Sequence, residues 1–191
     1  MSITTKHVFG AAAVLFACMQ ANAQTGAGNA ASSASGEHPV YGFGANVSES
    51  ELERFVSPLP DGRGLPKGSG TVMQGEKVYA AQCVACHGVN LEGGIGDRLI
   101  GGRGSLAVKQ GGGAPAKTVE SYWPYATTLF DYIKRAMPFT MPGSMSNDDV
   151  YAVTAYILSK ASIVPSDAVM DAETLPKVVM PNHDGFHPAN R

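Results

Sequence analysis

Five residues constrain this chain more than any others: Cys83-Val84-Ala85-Cys86-His87. Two thiols stand three positions apart, and an imidazole follows the second directly. That spacing lets the thiols form thioethers with the two vinyl groups on one porphyrin edge, and the next residue must then place its ring nitrogen under the iron. Neutral imidazole is a good iron ligand, and its other ring nitrogen can be fixed by a backbone carbonyl. The motif predicts covalent attachment of one haem c through Cys83 and Cys86, with His87 as an axial iron ligand.

Three other uses of these cysteines compete. A structural disulfide suits an exported chain but leaves His87 unexplained. A thioredoxin-like redox pair needs a strand-helix-strand pattern around it, and none is visible. A zinc site could be drawn with His183 and His187, but these lie far beyond the finger linker of about 12–15 residues. With His38, they read instead as surface residues in the terminal segments.

The remaining cysteine, Cys18, belongs to a different kind of segment. Lys6 and His7 precede an apolar run from Val8 to Met19, and Ala21-Asn22-Ala23 follows. A basic start, a short apolar stretch and a small-x-small site predict a secretory signal peptide cleaved after Ala23. The run is too short to span a bilayer, which takes about 20 apolar residues. The expected location is therefore the periplasm, with no membrane span. A lipoprotein anchored at Cys18 ranks second, because Phe16 is bulky for such a site.

Composition excludes several classes. With 14 Lys+Arg against 16 Asp+Glu, the chain lacks the basic excess of a nucleic-acid binder. Hydrophobic residues make up 44% and charged residues 16%, which argues against disorder. The 23 glycines and 12 prolines argue for loops between short helices. Many of those glycines fall between residues 92 and 113. No strand-to-helix context makes them a phosphate loop, whereas close backbone approach to a flat cofactor would use them. No hydrolase or Walker pattern is present.

Along the chain, residues 24–37 predict a flexible lead-in. A short helix is expected over 48–55, with Ser48 as its cap and Glu51 three residues on. Residues 61–70 read as turns, and a helix should run from Val72 into Cys83. Another is expected from Tyr125 to Met137, stopped by Pro138, with Leu129, Phe130, Ile133, Ala136 and Met137 on or beside its buried face. Ser146 should cap a last helix whose apolar stripe is Val150, Val153 and Ile157, flanked by Tyr156. Residues 163–191, with four prolines, predict an extended tail over the surface. The expected organisation is a signal peptide over 1–23, a flexible extension over 24–70, a monohaem domain over 71–162 and a tail over 163–191.

A second axial ligand must come from elsewhere, and methionine there raises the reduction potential. Met137 and Met141 both lie in the loop Arg135-Ala-Met-Pro-Phe-Thr-Met-Pro-Gly-Ser-Met145, and spacing alone does not choose between them. Arg98 or Arg103 could pair with a haem propionate. Trp123 could donate its indole N–H to one, or simply pack in the core.

A helix ending in Cys-x-x-Cys-His, a glycine-rich loop, a Met-Pro loop and a final helix together resemble a class I cytochrome c. The resemblance extends to the cytochrome subunit of periplasmic sulfane and sulfite dehydrogenases, the sulfur-oxidation (Sox) cytochromes. It is carried by Tyr41-Gly-Phe-Gly44, Asp61-Gly-Arg-Gly-Leu-Pro-Lys-Gly-Ser-Gly70, Lys117-Thr-Val-Glu-Ser-Tyr-Trp-Pro-Tyr-Ala-Thr-Thr128 and Asp131-Tyr-Ile-Lys-Arg-Ala-Met-Pro-Phe139. It implies an all-α class I cytochrome c fold, with few helices around one covalent haem and long irregular terminal extensions. It also implies Met137 as the axial ligand, with Met141 the alternative.

Two departures matter. Relatives that serve the sulfane dehydrogenase carry two haem motifs, and this chain has one, which favours a molybdenum sulfite dehydrogenase as partner. Relatives often have proline where Asp97 stands, its carbonyl accepting the histidine N–H. The implied function is electron transfer rather than catalysis, between a dehydrogenase subunit and a downstream cytochrome or oxidase. A sulfane dehydrogenase subunit, or a haem enzyme or ligand sensor with an open sixth position, is the alternative. Lys134 and Arg135 beside the Met-Pro loop are expected to steer the partner.

Overall fold

The computed structural model describes residues 44–52, 55–107 and 115–187. One compact unit spans Ala45–Arg191. The expected signal peptide, His38 and the Tyr41-Gly-Phe segment lie outside the described residues.

Helix α1 is a single turn, Glu49–Leu52, shorter than the expected 48–55. The Glu51 carboxylate accepts from both the backbone N–H and the hydroxyl of Ser48, so the expected cap pairing is present. Strand β1, Ser69–Thr71, leads directly into helix α2, Val72–Gln82. Thr71 and Gln74 form a reciprocal capping box: the Thr71 hydroxyl accepts from the Gln74 N–H at 3.2 Å, and Gln74 Oε1 accepts from the Thr71 N–H at 2.9 Å. Two orphan donors are thereby satisfied at the point where strand becomes helix. Cys83 interrupts the helix, and a separate turn, α3, carries Val84–His87.

Helix α4, Ala126–Ala136, buries Leu129, Phe130 and Ile133. It is one residue shorter at each end than expected, because Tyr125 and Met137 both have extended backbones. Helix α5, Asn147–Lys160, starts at Ser146, whose hydroxyl accepts from the Asp149 N–H at 3.1 Å. Asp148 and Asp149 in its first turn and Lys160 in its last complement the helix dipole. The sequence predicts one apolar stripe, but every residue from Val150 to Leu158 is buried. The reason is geometric: α2, α4, β1 and the C-terminal segment all pack on this one helix.

The crossing of α2 and α5 is close. A Cβ on Gly75 would fall 1.9 Å from the Ala152 carbonyl oxygen, so only glycine allows the two backbones this approach. One turn on, the rings of Tyr79 and Tyr156 meet with centroids 5.2 Å apart.

Two expectations about the flanks are corrected. The tail after residue 163 is not a strap over the surface. Strand β2, Val169–Asp171, pairs antiparallel with β1, with Gly70 opposite Met170. Met170, Leu175 and Met180 are buried in the same core as the helices. The end of the extension expected over 24–70 is also folded in: Leu65 packs against the core and the Pro66 carbonyl accepts from the Tyr151 hydroxyl at 2.8 Å. Prolines and glycines block long elements, but they do not prevent a three-residue strand or single anchoring side chains.

Candidate functional site

The pentapeptide is held from three sides. From α2, the Tyr79 hydroxyl donates to the Gly88 carbonyl at 2.7 Å, just behind the histidine. Burial, with a smaller push from Cys83, raises the Tyr79 pKa well above the ordinary phenol value, so it remains a donor. From the following loop, the Gly93 N–H donates to the His87 carbonyl at 2.8 Å and the Gly96 N–H to the Cys86 carbonyl at 2.9 Å. The third contact orients the ring itself. His87 Nδ1 lies 2.7 Å from the Asp97 carbonyl oxygen, so an Nδ1–H donates there and Nε2 keeps its lone pair.

Replacing the usual proline with Asp97 therefore costs no hydrogen bond, because the acceptor is backbone. Gly96 makes the approach possible: a Cβ there would stand 3.0 Å from His87 Cε1. These glycines cradle an imidazole edge, which explains part of the glycine-rich sequence.

Cys83 is half-buried and Cys86 exposed, and both are free thiols. Burial is the main reason the Cys83 thiol is pushed up to about 11, with Cys86 adding to it. The disulfide and thioredoxin readings find no support here: among the described residues the sheet is two short antiparallel strands, with no parallel strand-helix-strand unit. The zinc reading also fails, because no group of three or more His, Cys, Asp or Glu side chains converges among the described residues.

The two methionines separate clearly. Met137 is half-buried and packs against the core at the end of α4, where its N–H donates to the Ile133 carbonyl at 3.1 Å. Met141 is 61% exposed. Trp123 is half-buried and meets Tyr132 edge to face, with centroids 5.6 Å apart.

The two arginines also divide. Arg103 Nε pairs with Glu120 at 3.2 Å, and its Nη2 donates to the Ala161 carbonyl at 2.7 Å, at the end of α5. Glu120 also accepts from the Gly101 N–H, while the Thr118 hydroxyl donates to the Gly101 carbonyl at 2.7 Å. Arg103 thus works as a strut between the loop after the motif and α5. Arg98 is exposed and makes no side-chain hydrogen bond among the described residues, so it stays available to an anionic group.

Lys134 and Arg135, the residues expected to steer a partner, both make contacts within the chain, and together with Asp131 they keep a net positive charge. Lys134 Nζ donates to the Met145 carbonyl at 3.1 Å, and Arg135 pairs with Asp131 at 2.6 Å. The surface beside Met137 is also apolar, with Tyr132, Phe139 and Met141 exposed.

The donor set is two thiols, one imidazole oriented to leave Nε2 free, and one half-buried thioether. These are the groups a c-type haem requires, so the residues present fit it. No helix among the described residues is long and apolar enough to cross a membrane.

A family model for cytochrome c matches residues 72–161, which span α2 through α5. Among solved structures, the chain is similar to one in the crystal structure of the sulfane dehydrogenase SoxCD from Paracoccus pantotrophus. The two are 40% identical and superpose with a TM-score of 0.72, over 79% of this chain and 73% of that one.

Proposed function

The chain belongs to the cytochrome c family, and from that premise we propose that it is a periplasmic carrier of single electrons, holding one haem, that accepts electrons from a sulfur-oxidising dehydrogenase. The observation that carries this is the bond from His87 Nδ1 to the Asp97 carbonyl at 2.7 Å, which leaves Nε2 as a ready iron donor. Cys83 and Cys86 would form the thioethers, His87 would hold one axial position and Met137 the other. When bound, the haem supplies a one-electron iron couple.

The chain's own residues do the rest. The Tyr79, Gly93 and Gly96 contacts hold the backbone around His87, the Asp97 carbonyl orients its ring, and the Glu120–Arg103 strut fixes the loop beside it. With the His87 imidazole and the Met137 thioether both held by the iron, no position would be left open to substrates, which favours a carrier over a ligand sensor. The exposed Tyr132, Phe139 and Met141 offer a small apolar docking face, suited to partners that must separate quickly.

One haem motif supports a sulfite dehydrogenase of the molybdenum type as the donor. Similarity to a chain of a sulfane dehydrogenase favours a second reading, in which the donor acts on sulfane sulfur. Sulfite oxidation releases two electrons, so each turnover must reach two copies of this chain, or the same copy twice.

Stopped-flow mixing tests both readings. The oxidised holo-protein is mixed with a sulfite dehydrogenase and sulfite, or with a sulfane dehydrogenase and its sulfane substrate. Prompt reduction in one arm identifies the donor. Lys134 keeps its charge while donating to the Met145 carbonyl, and Asp131 offsets only Arg135, so the rate should fall as salt rises. No reduction in either arm would remove the sulfur assignment and leave the carrier role intact. An exported protein whose N-terminus is not Gln24 would refute cleavage after Ala23.

A further inference from the structure

Lys134 joins the two ends of the loop that carries Met137. It lies in the last turn of α4, and its Nζ donates to the carbonyl of Met145, 11 residues on, at 3.1 Å. Met145 is only 5% exposed and immediately precedes Ser146, the cap of α5. One side chain therefore links the end of the helix that delivers Met137 to the start of the helix that follows.

The chain between these points has little packing of its own. Residues 139–144 are all exposed. Two turns fold the segment: the Met141 N–H donates to the Pro138 carbonyl at 2.9 Å, and the Ser144 N–H to the Met141 carbonyl at 3.3 Å. Both bonds are internal to the loop. Gly143, at φ 75°, brings the loop back beside Lys134, where a Cβ would stand 3.9 Å from the Lys134 carbonyl oxygen. The returning backbone and the ammonium bond thus converge on one residue.

Met137 itself has left the helix. Its backbone is extended, and its N–H is held by the Ile133 carbonyl at 3.1 Å. That bond fixes one end of the loop only. A loop closed in advance has already lost the conformational freedom that a ligand bond would otherwise have to remove. The Lys134 bond suits that task, because a charged donor partly shielded from water makes the stronger kind of hydrogen bond.

We propose that Lys134 is a positioning residue for the axial thioether: its ammonium closes the 137–145 loop and so keeps Met137 in place as an iron ligand. The inference rests on Met137 holding that axial position.

The test uses the holo-protein, oxidised to record the methionine-to-iron charge-transfer band and reduced to titrate with carbon monoxide. Carbon monoxide enters only where Met137 has left the iron, so its apparent affinity reads the fraction of open loops. Lys134→Met keeps the aliphatic stem and removes the donor. It should tighten carbon monoxide binding about tenfold, the usual scale when a metal ligand loses its outer partner. The charge-transfer band should also melt at a lower temperature than in the parent, by more than the far-ultraviolet circular dichroism shifts. Lys134→Arg, which keeps a cationic donor, should restore both readouts, and Lys134→Gln replaces Lys134→Met if that variant does not fold. Carbon monoxide affinity equal to the parent's, or a band that moves only in step with the circular dichroism, would overturn the proposal. Met137→Ala separates the two layers. A band that survives it removes Met137 as ligand and the proposal with it, whereas a band lost in Met137→Ala and unmoved in Lys134→Met refutes the role of Lys134 alone.

Discussion

Gly75→Ala asks which of two opposed effects controls the α2–α5 crossing. Within a helix, alanine is favoured over glycine by about 0.8–1.0 kcal/mol, so local propensity predicts a gain in stability. The structure predicts the reverse. The new Cβ would lie 1.9 Å from the Ala152 carbonyl oxygen, 2.5 Å from its carbon and 2.8 Å from the Tyr156 Cβ. Two of these atoms are backbone within the most buried helix, so no rotamer change relieves them. Overpacking a filled core costs about 1–3 kcal/mol, and a clash with backbone belongs at or above the top of that range. The net effect should be a loss of about 2 kcal/mol. For a chain of this size that corresponds to a Tm lower by about 4–8 °C. Guanidinium unfolding of the holo-protein, followed by far-ultraviolet circular dichroism and by haem absorbance, measures it directly. A variant as stable as the parent, or more so, would refute the close crossing of the two helices.

The other expectations concern separate parts of the molecule. Met137→Ala should yield a high-spin haem that binds carbon monoxide when reduced, while Met141→Ala leaves the spectrum nearly unchanged; exchanged outcomes would make Met141 the ligand. Glu120→Ala removes the acceptor of Gly101 and Arg103 together and should cost about 2 kcal/mol in denaturant unfolding, where a loss below about 0.5 kcal/mol would count against the strut. Burial raises the Tyr151 phenol from 10.0 to about 12, with a smaller push from Asp171. A raised folded-state value means its stabilisation is complete below pH 10 and is lost as pH rises from 10 towards 12. Tyr151→Phe should flatten that part of the stability profile while costing about 1 kcal/mol at neutral pH, and a profile identical to the parent's would exclude Tyr151 as its source.

The haem motif and the three main helices were legible because their signals are local. The Cys83–His87 spacing, the apolar periodicity of Leu129, Phe130 and Ile133, and the Ser146 cap each sit within a few residues. The carbonyl that fixes His87 was also foreseeable at Asp97, since it belongs to the backbone and not to the side chain that differs. What escaped the sequence depends on distant partners. The Thr71–Gln74 box is local and could have been found, but the strand it terminates is visible only when residues 169–171 come alongside. Arg103 looked like a free cation because its partners, Glu120 and Ala161, lie 17 and 58 residues away. For Lys134 and Arg135 the sequence shows the charges but not that Lys134 reaches the Met145 carbonyl, 11 residues on.

The main partner of α2 lies downstream of the haem motif. Its crossing helix starts at Asn147, and the strand that pairs with its leading residues begins at Val169. A chain that emerges N-terminus first therefore displays Cys83, Cys86 and His87 well before it can assemble the core behind them. During that interval the thiols stand outside any packed environment, and the burial that raises Cys83 has not been imposed. The order of synthesis thus leaves a window in which covalent attachment can precede folding, and arrival of α5 and β2 closes it.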